Sequence, residues 1–239
     1  MKISVRNLNA LVRMLSEAAV SPSQVKSKGL ALLRKRDGDA TTYVLYDPHV
    51  AYELFEKTAK SSEAETKIPA SLIDSGKFIL GTITTKKPEQ PSNNAMEIKM
   101  TAAVKGFGPF LYDVVMGMEG GLIPDRNSVS GMAKKLWSKY QARSDVKHKK
   151  LDDFEDPKTP DPSDDAKVYQ SDDPDDPLNY SYTIARTPEA GELMARHEDL
   201  LDLLQRKFNF DDSTINGVLV GAADRYFFTR YQDNFGGRF

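Results

Sequence analysis

Ala95-Met-Glu-Ile-Lys-Met-Thr-Ala-Ala-Val-Lys-Gly-Phe-Gly-Pro-Phe-Leu-Tyr-Asp-Val-Val-Met116 changes its hydrophobic period in the middle, and that change organises the reading of the whole chain. Met96, Ile98, Met100, Ala102 and Val104 alternate with Glu97, Lys99 and Thr101, the period-two pattern of a strand. Phe110, Leu111, Val114, Val115 and Met118 then recur at three- and four-residue spacing. Pro109 is pre-set for a first helical turn, so a helix is expected from the second glycine. The joint is Lys105-Gly-Phe-Gly108. Glycines let a backbone approach a ligand closely, and the start of a helix offers unpaired N–H groups and partial positive charge to an anion. Val104, Lys105, Gly106, Phe107 and Gly108 are therefore candidate phosphate-cradling residues. A plain strand-to-helix turn without a ligand is the competing reading.

Two phosphate-binding signatures do not fit. A P-loop needs Lys-Ser/Thr after its glycine, where this chain has Pro109-Phe110; a dinucleotide fingerprint needs a third small residue, where it has Leu111.

With 239 residues and 39% hydrophobic content, the chain suffices for one substantial domain with an appendage, or two small ones. It has no cysteine, which excludes disulfides, thiol nucleophiles and cysteine-based zinc sites. His49, His148 and His197 show no metal-binding spacing, and Asp172-Asp-Pro-Asp-Asp-Pro177 lacks the glycine turn and ligand spacing of a calcium loop, so no metal site is expected. The opening residues carry no long apolar run, and no segment reaches membrane-spanning length; a soluble, cytoplasmic protein with no membrane partner is the expectation. The net charge of -2 conceals a division: residues 151–177 hold eleven acids and two lysines, a local -9, leaving +7 on the rest.

Taken in order, Leu8, Leu11, Val12, Leu15 and Ala19 give a first amphipathic helix over 6–20, ended by Ser21-Pro-Ser23. Lys28–Arg36 and Thr41–Tyr46 read as strands joined at Asp37-Gly-Asp39. His49–Ala59 reads as a helix, Ser61–Thr66 as a polar interruption before Ile68-Pro69, and Lys77–Thr84 as a third strand. After the central strand and helix, Gly120–Arg126 reads as a brief strand and loop. Ser128-Val-Ser130 caps a helix carrying Met132, Ala133, Leu136, Trp137 and Tyr140. Five prolines make the acidic segment a long exposed loop, an acidic strap able to cover the basic body. Leu178–Ile184 returns as a strand, and two helices follow, from Thr187 to about Phe208 and near Ser213–Tyr231.

Strand, x-Gly-x-Gly and amphipathic helix, in this order of elements over about residues 1–143, resemble the GNAT-like acyltransferase superfamily. Ser130-Gly-Met-Ala-Lys-Lys-Leu-Trp-Ser-Lys-Tyr140 is similar to its second motif. Phe110-Leu-Tyr-Asp-Val-Val115, Ile123-Pro-Asp-Arg126 and Leu136-Trp-Ser-Lys-Tyr140 look most like GNAT-like proteins encoded by bacteriophages. The resemblance implies an α/β (α+β) fold, a mixed central sheet flanked by helices. Residues 1–186 would form this domain, with an acidic Pro-rich loop at 144–177, and 187–239 a helical C-terminal extension. It further implies acetyl-CoA as co-substrate, its pyrophosphate on the glycine turn, and an amine, small or protein, as acceptor.

The chain departs from the family at Ala103, where Gln or Arg is common, at Pro109, which has no N–H, and at Trp137, where the family has its acid tyrosine. Tyr140, one turn further on, is the substitute acid or an amphipathic core-rim residue. Glu97 and Asp125 are the candidate bases, or respectively a solvent-facing strand residue and a turn residue paired with Arg126. The family closes with a hairpin where this chain ends in helices. Two functions follow: an acetyl-CoA-dependent N-acyltransferase, or a degenerate binding or assembly protein, such as a virion component, that meets a protein partner through 187–239. Nucleic-acid contact by Lys134, Lys135, Lys139 and Lys147–Lys150 is a third.

Overall fold

The structure, a computed structural model, describes residues 20–60, 78–185 and 187–235, and of residues 22, 23, 26, 188 and 228–235 the backbone alone. The expected first helix up to residue 19 and the polar interruption with Ile68-Pro69 lie outside the described residues.

Seven strands form the main sheet. The strands β1 (Ala31–Asp37), β2 (Ala40–Tyr46), β3 (Ile79–Lys86) and β4 (Met96–Ala103) form an antiparallel meander. The β1–β2 turn is the two residues Gly38-Asp39, and Gly38 takes the left-handed conformation (φ 59°) that such turns demand. Beside β4 runs β5 (Leu122–Ile123), parallel to it; β6 (Val146–Lys150) and β9 (Tyr180–Ile184) complete the sheet as an antiparallel pair, in the order β1-β2-β3-β4-β5-β9-β6, while β7 (Asp152–Asp153) and β8 (Asp165–Ala166) pair apart from it. The fold is mixed α/β on a mostly antiparallel sheet, as expected at that level.

Period two distributes β1 and β2 between two cores. Leu32, Tyr43 and Leu45 face one side, with Leu111 and Val115 of α3 (Phe107–Glu119) and Trp137 and Tyr140 of α4 (Gly131–Ala142). Leu33, Val44 and Tyr46 face the other side. There they meet Phe55 of α2 (Pro48–Lys60), Leu201 and Leu204 of α5 (Pro188–Phe208) and Leu219 of α6 (Asp212–Phe235). α5 begins in the first core with Ala190 and Leu193 and ends in the second. It thus wraps the β1 edge, where Arg196 Nη1 donates to the Leu30 carbonyl at 3.0 Å. That cover blunts an edge strand. The apolar faces of the C-terminal helices pack on the sheet through Ala223.

The structure revises the local readings at two places. Ser21-Pro22 opens a helix, α1 (Pro22–Ser27): the Gln24 N–H donates to Ser21 Oγ and the Ser21 N–H to Gln24 Oε1, a reciprocal cap. Lys147–Lys150, expected within the loop at 144–177, lie in strand β6; an edge strand tolerates an exposed polar run, which hides it from a hydrophobic pattern. β6 and β9 pair antiparallel across a long connection that carries the acidic segment.

Candidate functional site: the glycine turn and the parallel strand pair

β4 and β5 pair only at Met96↔Leu122 and Glu97↔Ile123. From Ile98 to Ala103, β4 has no strand on its β5 side among the described residues. On its other side Thr85 pairs with Ile98 and Thr84 with Met100, so Lys99 is the extra residue of a bulge. Bulges bend a strand and break pairing, here at the point where β4 leaves β5. The glycine turn lies at the far end of this half-open strand.

α3 starts at Phe107, one residue earlier than expected, with Gly106 as N-cap in a left-handed conformation (φ 91°). Of the five proposed cradle residues, two have no N–H to spare. Val104 donates to Leu80 O at 2.8 Å and Phe107 to Val104 O at 3.0 Å, while the Phe107 ring is buried in the core. Lys105, Gly106 and Gly108 keep N–H groups without a backbone partner among the described residues. The Lys105 side chain is exposed. Val20 N–H donates to the Gly106 carbonyl at 2.9 Å, so the chain entering α1 passes directly against the turn.

Between α3 and α4, aromatic rings are packed. Trp137 is 1% exposed, with the Tyr182, Tyr112 and Tyr140 ring centroids at 4.9, 5.5 and 5.8 Å. Tyr140 is equally buried. Its hydroxyl donates to Asp113 Oδ1 at 2.7 Å and lies 3.0 Å from the Pro109 carbonyl, while Arg143 clamps both Asp113 oxygens at 2.8 and 3.0 Å. Burial first, and the Asp113 carboxylate second, hold the Tyr140 phenol well above its ordinary range. Asp113 had no signal in the sequence, because its partners lie about thirty residues away.

Glu97 is neither solvent-facing nor free. It is 4% exposed, and its Oε1 accepts from Lys99 Nζ and the Arg126 N–H, both at 2.7 Å. Its neighbour Ile98 joins the first core, so alternation turns Glu97 to the opposite face from Tyr140. Asp125 is a turn residue, its Oδ1 accepting from Asn127 N–H at 2.6 Å and Ser128 N–H at 3.1 Å. The structure therefore places Glu97 and Asp125 near each other, on either side of Arg126, and leaves Tyr140 apart.

Arg126, read only as a partner for Asp125, is the staple of this region. Its buried guanidinium donates to the carbonyls of Pro124 (2.9 Å), Lys167 (3.4 Å) and Leu178 (2.6 Å) and lies 5.0 Å from the centroid of the Tyr169 ring. These bonds tie down the acidic segment, which is not a free strap. Leu151, Ala166 and Val168 bury against Ala95 and Ile123. Lys149 pairs with Asp161 (2.9 Å) and Asp164 (3.3 Å), and Lys134 with Asp176 (2.7 Å). The segment thus pairs with two of the lysines proposed for nucleic acid. Asp152, Asp164 and Asp165 bring carboxylate oxygens within 4.8 Å of one another, a grouping not foreseen in the sequence. Burial, then the charges of its neighbours, raise the Asp165 carboxyl above its usual range.

No helix among the described residues is long and apolar enough to cross a membrane. No protein-family model, curated protein or solved structure matches the chain.

Proposed function

We propose that this chain is a GNAT-like protein that has lost acyl transfer and works by binding, as an assembly protein. The observation that carries the reading is the closure of the space between α3 and α4. Trp137 stands where an acid tyrosine would, and the Tyr140 phenol is enclosed and spent on Asp113. A phenol held high by burial, already donating to a carboxylate, is a poor proton source for a leaving thiolate. Glu97 is spent on Lys99 and Arg126, and Asp125 on a turn. An outward stripe of α4, Met132 at 83% exposure with Lys135 and Lys139, offers a contact surface instead. The resemblance to bacteriophage-encoded members supports a place in a virion or its assembly in the host cytoplasm.

A second reading, the N-acyltransferase with acetyl-CoA and an amine acceptor, is favoured by a specific observation: the glycine turn has three N–H groups without a backbone partner among the described residues, at the end of a strand that parts from its parallel neighbour. Calorimetric titration of acetyl-CoA separates the two. The binding protein gives no heat at about millimolar ligand, for the wild type and for Gly106→Glu alike. Micromolar affinity lost in Gly106→Glu would establish the cradle and favour the enzyme.

A further inference from the structure

A cavity of about 400 Å³ opens at the other end of β4 from the glycine turn, beyond the C-terminus of α3. Arg34, Arg36, Thr41, Lys87, Met96 and Glu119 are among its lining residues. Cross-strand pairing assembles this wall: Arg34 lies opposite Tyr43 and Arg36 opposite Thr41. Arg34 is a fixed part of it. Its Nε lies 3.1 Å from the Tyr43 hydroxyl, its Nη2 lies 3.8 Å from Glu119 Oε1, and Tyr43 also donates to Glu119. Glu119, 10% exposed at its side chain, is thereby spoken for from within the protein. Asp39, also in the lining, is paired with Lys86 at 3.3 Å.

Arg36 and Lys87 have no side-chain partner among the described residues, and both are exposed at the rim. The lining therefore sets three cations (Arg34, Arg36 and Lys87) against two carboxylates (Asp39 and Glu119), and Lys86, outside the lining, offsets Asp39. The carbonyl end of α3 adds about half a negative charge, which leaves the rim positive. A guanidinium fork and an ammonium facing one concavity suit a phosphate group. The volume exceeds that of a bare phosphate, and Met96 supplies an apolar wall for an organic remainder.

We infer that this cavity is a binding site for a small phosphomonoester, its phosphate held by Arg36 and Lys87 and its organic part resting against Met96 and Thr41. The site is separate from the glycine turn and does not rest on the reading of that turn.

The test is titration of the full chain, at one low ionic strength, with glycerol 3-phosphate, inorganic phosphate and malonate. Three proteins are compared: wild type, Arg36→Gln/Lys87→Gln, and Lys105→Glu as the control at the glycine turn. These side chains are exposed, so all three should fold alike by circular dichroism. The expected result is saturable binding of glycerol 3-phosphate, tighter than of phosphate. Its Kd should rise at least about tenfold in the double variant and stay unchanged in Lys105→Glu. The inference is overturned by no saturation up to about 10 mM, by malonate binding as well as the phosphomonoester, or by loss in Lys105→Glu with retention in the double variant.

Discussion

Replacing Trp137 by alanine tests whether the indole is packing or chemistry. The side chain is 1% exposed and touches three tyrosine rings, with centroids 4.9 to 5.8 Å away. An indole buries on the order of 200 Å², which at about 25 cal/mol per Å² corresponds to roughly 5 kcal/mol. The unfolded chain already hides part of that surface, and the cavity relaxes only in part, so a loss of about 3–5 kcal/mol is expected. Against a total stability of about 5–15 kcal/mol, this brings a small domain close to unfolding. Urea denaturation followed by far-UV circular dichroism reads it as a lowered midpoint at unchanged slope. Trp137→Phe keeps most of the ring and should cost well under half as much. Trp137→Tyr restores the phenol that the resemblance calls for, but places a hydroxyl in a filled core and should cost about 1–3 kcal/mol without producing any transferase activity. A Trp137→Ala protein within about 1 kcal/mol of wild type would refute the packing role, and activity in Trp137→Tyr would refute the loss of chemistry.

Other perturbations should read out other parts of the fold. A Cβ at Gly81 would lie 2.9 Å from Leu111 Cδ2 and 3.1 Å from Ala103 Cβ, so Gly81→Ala should destabilise by about 1–3 kcal/mol, measured as a lowered Tm. His197, buried with Nδ1 2.7 Å from the Tyr46 hydroxyl, has its pKa pushed down to about 4, mainly by burial. Its stabilising contribution as neutral imidazole is present above the unfolded value near 6.5 and is lost as pH falls toward 4, by up to roughly 3 kcal/mol; His197→Gln should flatten the stability profile over that window. Asp165 shows the opposite sign for a carboxylate: its raised pKa means that ionisation costs stability once pH exceeds the unfolded value. Asp165→Asn should therefore raise Tm at pH 7 and have little effect near pH 3. Arg126→Met leaves three carbonyls without their donor, and limited proteolysis should then cut within 151–177 far faster than in wild type.

The glycine turn, the alternating strand before it and the start of α4 were legible because each rests on a local pattern, such as Gly106 at positive φ and Ser130 accepting from the Ala133 N–H; the cap read at Thr187 starts α5 without a side-chain hydrogen bond. Strand β6 was not, since its outward lysines answer to an edge and to an acidic segment rather than to a core. The candidate site was half legible. Residue types suggested acids and bases at Glu97, Asp125 and Tyr140, but what each carboxylate or phenol does depends on partners brought from elsewhere, Asp113 to Tyr140 and the Arg126 N–H to Glu97. The role of Arg126 was hidden for the same reason: its acceptors are main-chain carbonyls up to 52 residues away, which no side-chain motif encodes.

The most direct measurement of lost acyl transfer is release of free thiol from acetyl-CoA in the presence of amine acceptors, followed with a thiol-reactive dye. The chain has no cysteine, so the protein adds no background of its own. The expected result is thiol release no faster than in buffer with every amine tried. Enzyme-dependent release that falls at least about tenfold in both Tyr140→Phe and Gly106→Glu would contradict it and return the chain to the acyltransferases.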